Sequence, residues 1–207
     1  MTHVSGAGEL VLASQSPRRR QLLAQIGMDF TVMPAELDER PHPGETAEDH
    51  VRRLAAEKAR VVFDSPTVEG GCLVMAADTV VVIDGDILGK PIERADGIAM
   101  LGRLSGRPHT VLTALHLIGP GGVERARLNC NEVGFRALVP GEAEAYWETG
   151  EPADKAGGYA IQGLGAIFIE SIRGSYTGIM GLPLHDVSVL LSHYGIKLLL
   201  GVPLTNE

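Results

Sequence analysis

The sequence predicts an α/β fold in which helices flank a mixed β-sheet, and three observations carry this prediction. Short apolar runs of strand length alternate with amphipathic stretches of helix length, and hairpin patterns follow later in the chain. The 26 glycines lie mainly between the apolar runs, where tight turns need them. The 207 residues are 44% hydrophobic and 21% charged, which is enough apolar material for a folded core.

The first strand–helix unit has the clearest local signals. Glu9–Ala13 is a short apolar run, and an amphipathic stretch, Arg18–Ile26, follows it. Ser16 suits the N-cap of that helix, since its hydroxyl can accept a bond from a free backbone N–H, and Pro17 suits the first helical position. Gly27 suits the left-handed residue that ends a helix. These residues predict a strand, a capped helix and a turn in that order.

The next elements follow from pattern and turn chemistry. Phe30–Met33 is a second short strand, and the polar segment Glu39–Thr46 is a loop that ends in a helix cap. Ala47–Phe63 is predicted to be helical because its apolar residues lie roughly on one face. The remaining elements of this half are a buried strand Cys72–Ala77 ending at Asp78, an extended continuation Thr79–Ile83, a hairpin signal at Asp84–Asp86 and a helix Ala95–Leu104.

The second half predicts a hairpin followed by a helix, a loop, a strand and a helix. A glycine-rich turn, 119–122, separates two long strands, and a second glycine-rich segment, 154–165, is a loop. The predicted elements are the strands His109–Ile118 and Val123–Ala137, the helix Pro140–Thr149, the strand Ala166–Ile172 and the helix Leu182–Tyr194.

Charge and segment lengths limit the classes of function. The net charge is −8, opposite in sign to that of a typical nucleic-acid-binding domain, so we expect no nucleic-acid partner. An anionic ligand would need a local basic cluster. The apolar runs are far shorter than the roughly 20 residues of a membrane span, and the N-terminus lacks a signal-peptide pattern. We therefore expect a cytoplasmic protein without a membrane partner. Without internal repeats or low-complexity linkers, residues 1–207 are predicted to form one domain.

Several standard motifs are absent. The nearest match to a phosphate-binding P-loop, Gly85–Pro91, is one residue short and ends in proline, which supplies neither a hydroxyl nor a backbone N–H. No glycine-rich dinucleotide fingerprint follows the first strand, and the seven histidines lack the paired spacing of a zinc site. Gly174–Gly178 has its serine in the wrong position for a nucleophile elbow.

A set of polar residues at element ends remains. The segment Ser14–Arg19 places hydroxyls, free N–H groups and two guanidinium groups at a helix start, which favours phosphate binding. An ordinary capped helix with solvated arginines is the alternative. Asp78 ends a buried strand, where catalytic carboxylates often occur in α/β proteins. Lys58, Lys90 and Glu39 could each be ordinary surface charges. Together these residues offer cations for a triphosphate and carboxylates for a metal.

The sequence also resembles a known family, the Maf (septum formation) proteins, over Leu10–Leu191. The resemblance rests on eight short blocks in the family's order, which makes a chance match very improbable. The blocks are Ser14–Arg19, Glu57–Ala59, Ala77–Thr79, Gly89–Pro91, Leu104–Gly106, Asp154–Tyr159, Ile161–Gly163 and Gly181–Pro183. Residues 1–8 lie outside the resemblance, and we expect this N-terminal extension to be frayed.

The resemblance implies a fold and an activity. Maf proteins are nucleoside triphosphate pyrophosphatases whose fold is similar to that of the inosine triphosphate pyrophosphatases: an elongated mixed sheet with two lobes around a cleft. Arg18, Thr79 and Gln162 stand where the dTTP- and UTP-hydrolysing branch has arginine, threonine and glutamine. The branch acting on 7-methyl-GTP departs from this pattern. Two alternatives stay open: 7-methyl-GTP hydrolysis, and a nucleotide-binding regulator of cell division without turnover.

Roles for individual residues follow from the resemblance and from their chemistry. Asp78 is expected to be the general base and, with Glu39, to hold Mg²⁺ or Mn²⁺, because such ions favour carboxylate oxygens. Cations are expected to stabilise the phosphate charge, and side chains near the base are expected to select it. The catalytic candidates are Asp78, Lys90 and Lys58, and the substrate-binding candidates are Ser14, Ser16, Arg18, Arg19, Thr79 and Gln162. A homodimer is a further expectation, since relatives are commonly dimeric.

Overall fold

A seven-stranded mixed sheet forms the centre of the computed structural model, which describes residues 9–68 and 71–198. The expected N-terminal extension therefore lies outside the described residues. The strands are β1 (Leu10–Leu12), β2 (Thr31–Val32), β3 (Leu73–Ile83), β4 (Asp86–Leu88), β5 (Pro108–Gly119), β6 (Val123–Phe135) and β7 (Ile169–Arg173). Their spatial order is β2-β1-β3-β5-β6-β7, with β4 paired to the end of β3. β1 runs parallel to β2 and β3, and the other pairings are antiparallel.

Helices cover both faces of this sheet, as the sequence predicts. Within the described residues they are α1 (Pro17–Gln25), α2 (Ala47–Phe63), α3 (Arg94–Leu104), α4 (Glu142–Glu148), α5 (Tyr176–Ile179) and α6 (Leu184–Ser192). The signals at α1 are confirmed: the Ser16 side chain accepts the backbone N–H of Arg19, and Gly27 has φ +73°. Thr46 caps α2 in the same way through Asp49. No helix in this part of the chain is long and apolar enough to cross a membrane.

The core has two apolar clusters on one face of the sheet and a helix on the other. One cluster packs α1 and α6 against β1, β3 and β5, with Leu22 and Leu190 among its buried members. The second packs α3 and α4 against the far ends of β3 and β5, with Leu101 and Tyr146 among its members. α2 buries its apolar stripe against the opposite face. This arrangement produces the two lobes that the family resemblance implies.

A gap in the sheet lies where the two lobes meet. On the side of β3 away from β5, β1 pairs with residues 73–75 and β4 with residues 81–83. Between these pairings, in the described part of the chain, residues 76–80 have no strand neighbour on that side. Asp78 and Thr79 lie in this interval, so the sheet topology leaves both next to open space.

Several predicted boundaries are wrong. Asp78 does not end a strand, because it is the middle residue of the eleven-residue strand β3, which pairs with β5 on both sides of it. The predicted strand at Ala166 begins instead at Ile169, since Leu164–Phe168 forms a 3-10 turn. The predicted helix at Leu182 begins only after Pro183, and the short helix α5 precedes it. The predicted strand end at Ala137 is two residues late.

Candidate active site

The gap beside β3 opens into a cleft of about 440 Å³, a volume suited to a small-molecule ligand. Its wall comes from the β1–α1 turn, the loop before α2, the middle of β3, the segment after β4 and the glycine-rich segment 154–162. All ten site residues predicted from the sequence line it: Ser14, Ser16, Arg18, Arg19, Glu39, Lys58, Asp78, Thr79, Lys90 and Gln162. The fold therefore brings together side chains that are up to 148 positions apart in the chain.

At the centre of the cleft, the Lys58 ammonium lies between two carboxylates. Its Nζ is 2.7 Å from Asp78 Oδ1 and 2.6 Å from Glu39 Oε1. The Lys58 and Asp78 side chains are each only 10% exposed, whereas Glu39 is 52% exposed. Burial raises the pKa of Glu39, but the hydrogen bond and charge of Lys58 outweigh it, so the net pKa lies below its ordinary value. Both carboxylates are thus oriented towards one point occupied by a cation.

This donor set fits a hard divalent cation. Carboxylate oxygens from Glu39 and Asp78 already converge on a single positive charge, as they would on Mg²⁺. Within residues 9–68 and 71–198, no group of three or more His, Cys, Asp and Glu side chains could hold a metal. The protein would therefore supply two ligands and leave the others to water and ligand phosphate, which is a common arrangement for Mg²⁺.

The β1–α1 turn is braced by its own side chains. The Ser14 hydroxyl accepts the N–H of Ser16 at 3.2 Å and a guanidinium N–H of Arg19 at 3.3 Å. The Ser16 hydroxyl accepts the N–H of Arg19 at the helix start. In both serines the hydroxyl proton is not used by these bonds, so it can point into the cleft. Ser14 and Ser16 can therefore support the turn and contact a phosphate at the same time.

Arg19 holds the floor of the cleft together. Its Nε donates to Gly181 O at 2.8 Å, and its Nη2 donates to Thr79 Oγ1 at 3.1 Å. Burial lowers its pKa, although the nearby Asp78 charge opposes this effect. Arg19 therefore connects three separate segments. Arg18, the preceding residue in the helix, lines the cleft without such bonds to described residues.

Two cleft residues, Asp154 and Lys155, are absent from the site predicted by the sequence. The Lys155 ammonium contacts the Asp154 carboxylate, and both residues line the cleft. Burial raises the pKa of Asp154, but the hydrogen bond and charge of Lys155 and the charge of Arg18 together outweigh it, so the net pKa is below its ordinary value. The available signal was the family block Asp154–Tyr159, which contains both. Gly157, with φ +69°, fixes this block by donating its N–H to Gly89 O at 2.9 Å.

Gln162 lies exposed on the cleft wall, in a turn that is supported by a partly buried hydrogen-bond network. Glu151 accepts the N–H groups of Leu164 and Gly165 at 2.9 and 3.0 Å, and it also accepts the Tyr146 hydroxyl at 2.5 Å. Gly165 is required here because a Cβ would stand 2.6 Å from the Tyr146 hydroxyl. The amide of Gln162 is thus presented from a fixed backbone.

The chain is similar to several known proteins. A dTTP/UTP pyrophosphatase of Hahella chejuensis is 48% identical over 193 residues, covering 93% of this chain and 96% of the relative. A protein of the same name from Methylococcus capsulatus is 49% identical over 189 residues, covering 91% and 92%. A HAM1 protein from Coxiella burnetii shares the fold, with a TM-score of 0.53, 16% identity and coverage of 89% of this chain and 98% of that one. The Maf-like protein family model matches residues 9–194, and the chain therefore belongs to the Maf family.

Proposed function

We propose that this protein hydrolyses dTTP and UTP to the nucleoside monophosphate and pyrophosphate. The names of its relatives support this substrate class. The observation that carries the proposal is the Lys58 ammonium between Asp78 and Glu39, inside a cleft lined by five basic side chains. Such a site offers a proton acceptor, a place for a divalent cation and positive charge for a triphosphate.

The proposed reaction is attack of water on the α-phosphorus. Asp78 Oδ accepts one proton of that water as the new O–P bond forms. The bond between the α-phosphorus and its bridging oxygen breaks, and pyrophosphate leaves with the electron pair. Asp78 suits this role because it is buried at the cleft centre, where its carboxylate is oriented by Lys58.

Positive charge is needed where the leaving group becomes more negative. Lys90, Arg18 and Arg19 are proposed to face the phosphates, with Arg19 acting from the cleft floor. Lys58 is proposed to hold Asp78 and to stabilise the phosphoryl oxygens. Mg²⁺ or Mn²⁺, held by Glu39 and Asp78, would supply charge neutralisation when bound. The Ser14 and Ser16 hydroxyls are proposed to donate to phosphate oxygens.

Base selection is proposed to involve Gln162, Thr79 and Arg18. The amide of Gln162 offers both a donor and an acceptor, which can match the alternating edge of uracil or thymine. Thr79 lies next to the gap in the sheet, and Arg18 lies at the start of α1. The triphosphate would then extend from this wall towards Asp78.

A panel of nucleotides tests the proposal. Pyrophosphate release is measured with UTP, dTTP, CTP, GTP and 7-methyl-GTP, with Mg²⁺ and with Mn²⁺, for the wild type and for Asp78→Asn. We expect UTP and dTTP to be preferred, and Asp78→Asn to lose roughly 10²–10⁴-fold in kcat. The matched control is Asp86→Asn, since Asp86 is exposed on β4 and bonds Arg103 outside the cleft.

Each alternative has a distinct result. Preference for 7-methyl-GTP would assign the protein to the other branch. Nucleotide binding without release of pyrophosphate would favour the regulator without turnover. Asp78→Asn with activity within a few-fold of wild type would remove Asp78 from the role of base.

Location and assembly remain predictions. We propose that the protein acts in the cytoplasm, as a homodimer, and without a nucleic-acid partner, on the charge and segment arguments above and on the family resemblance. Light scattering of the purified protein measures the assembly directly.

A further inference from the structure

A pair of threonines crosses the two central strands beneath the cleft. Thr79 of β3 and Thr113 of β5 are directly paired, and their Oγ1 atoms are 2.9 Å apart. Thr113 is fully buried and does not line the cleft, whereas Thr79 is partly exposed and lines it. The pair lies between the two apolar clusters on that face, so its two hydroxyl groups interrupt an otherwise apolar surface.

The direction of the hydrogen bonds in this pair follows from counting protons. Thr113 Oγ1 is 2.8 Å from Gly178 O, and a carbonyl can only accept, so the single Thr113 proton points there. Thr113 must therefore accept the bond that it shares with Thr79. The single Thr79 proton is then used, and Thr79 Oγ1 also accepts Nη2–H of Arg19 at 3.1 Å.

This chain leaves Thr79 with no proton for a ligand and one free lone pair. Towards the cleft it can therefore act only as an acceptor. The oxygen stays reachable because the neighbouring residue is Gly181: a Cβ at that position would stand 3.2 Å from Thr79 Oγ1.

We propose that Thr113 is a positioning residue for base selection, which makes Thr79 an obligate acceptor by taking its only proton. This inference rests on the proposed function, since it concerns the base of the nucleotide. Uracil and thymine carry a hydrogen on ring nitrogen N3, and an acceptor pairs with it. Cytosine has a bare nitrogen at N3, so two lone pairs would face each other. The buried Thr113 hydroxyl thus favours UTP and dTTP over CTP without touching the nucleotide.

Thr113→Val tests the proposal because it removes the hydroxyl and keeps the shape. The Thr79 proton becomes free, and its hydroxyl can then donate to cytosine N3 or accept from uracil N3–H. We expect the KM for CTP to fall and the kcat/KM ratio of UTP over CTP to drop about tenfold, the value of one ordinary hydrogen bond. The kcat for UTP should change little, because Thr113 does not line the cleft and Arg19 keeps its bonds to Gly181 and Ser14.

Two further variants separate this effect from damage to the fold. Thr113→Ser keeps the hydroxyl and should keep the wild-type ratio. Thr110→Val makes the same substitution on β5 outside the cleft and should also leave the ratio unchanged. Gly178 O keeps a partner in Thr113→Val, because it also accepts the N–H of Gly181 at 2.9 Å. If Thr113→Val does not fold, Thr79→Val replaces it, and the same ratio should then fall through a higher KM for UTP.

The outcomes are decisive. A lower ratio in Thr113→Val with rescue by serine supports the proposal. An unchanged ratio in a folded Thr113→Val, or in Thr79→Val, overturns it, as does equal loss of activity with both nucleotides. If the wild type hydrolyses UTP but Thr113→Val keeps the wild-type ratio of UTP over CTP, this inference alone is refuted. A wild-type protein that hydrolyses neither UTP nor dTTP refutes the proposed function as well.

Discussion

Replacing Lys58 with methionine tests the electrostatics of the candidate active site most directly. The substitution keeps most of the aliphatic stem and removes the ammonium that lies within 2.7 Å of both Asp78 and Glu39. Two carboxylates would then face each other without a cation between them. We expect lower stability in the absence of metal and tighter binding of a divalent cation.

The size of the stability loss follows from burial. Removing one partner from a fully buried ion pair costs about 3–5 kcal/mol. The Asp78 side chain is 10% exposed, so its unpaired charge accounts for most of that cost. Glu39 is 52% exposed and can be hydrated by water in the cleft, so its unpaired charge adds little. We therefore expect a loss of about 2–3 kcal/mol at pH 7, or a fall of about 5–10 °C in Tm for a chain of this length.

The assay combines thermal unfolding with Mn²⁺ binding followed by electron paramagnetic resonance, both without nucleotide. Mn²⁺ should raise the Tm of Lys58→Met more than that of the wild type, and its Kd should be at least about tenfold lower, since no ammonium has to be displaced. Arg52→Met is the matched control, because Arg52 is exposed on the same helix and lies outside the cleft. A variant with wild-type Tm and wild-type Mn²⁺ affinity would refute the reasoning.

Three further predictions concern other parts of the site and core. Lys90→Ala should lower kcat/KM for UTP by about tenfold, with a smaller effect at high salt. Arg19→Ala should lower kcat/KM and also Tm, because Arg19 bonds Gly181. Unchanged kcat/KM in both variants would show that these residues have only a structural or surface role. Gln162→Glu should reduce the preference for UTP and dTTP over GTP, because an acceptor replaces an amide donor; a nucleotide panel with the wild-type ranking would exclude Gln162 from base selection. Burial lowers the pKa of His109 to about 4, so below pH 6.5 the unfolded chain binds a proton that the folded chain does not. Between pH 7.5 and pH 5 the unfolding free energy should thus fall by about 2 kcal/mol more in the wild type than in His109→Gln, as denaturant titrations can measure.

Local signals predicted the elements whose ends depend on nearby residues. The cap at Ser16 and the proline after it begin α1, and the positive φ of Gly27 ends it; each of these signals depends only on residues within one helical turn of it. Thr46 and the apolar face after it likewise predicted α2 with the observed bounds. Polar residues at element ends suggested most of the site, including Glu39 and Asp78, and the family blocks added Gln162 and a role for Thr79. No local pattern could have shown that these residues meet across the sheet.

Long-range contacts decided the features that the sequence did not reveal. Asp78 looks like a strand end, but pairing with β5 continues on both sides of it, and only the arrangement of β1 and β4 leaves it open. The 3-10 turn after Gly163 depends on Glu151, which accepts N–H groups 13 and 14 residues later. Thr113 is one hydroxyl within an apolar run, and its role is visible only when its cross-strand partner is known.

Charge in the cleft connects the proposed metal to the proposed substrate. The chain carries a net charge of −8, yet the cleft is lined by five basic and three acidic side chains. The three acidic groups are Glu39, Asp78 and Asp154, and two of the cations, Lys58 and Lys155, contact them directly. A nucleoside triphosphate brings roughly four negative charges, of which the protein's excess of two positive charges can balance only about half. The remainder is about the charge of one divalent cation, so a cleft of this composition binds a triphosphate best together with Mg²⁺ or Mn²⁺.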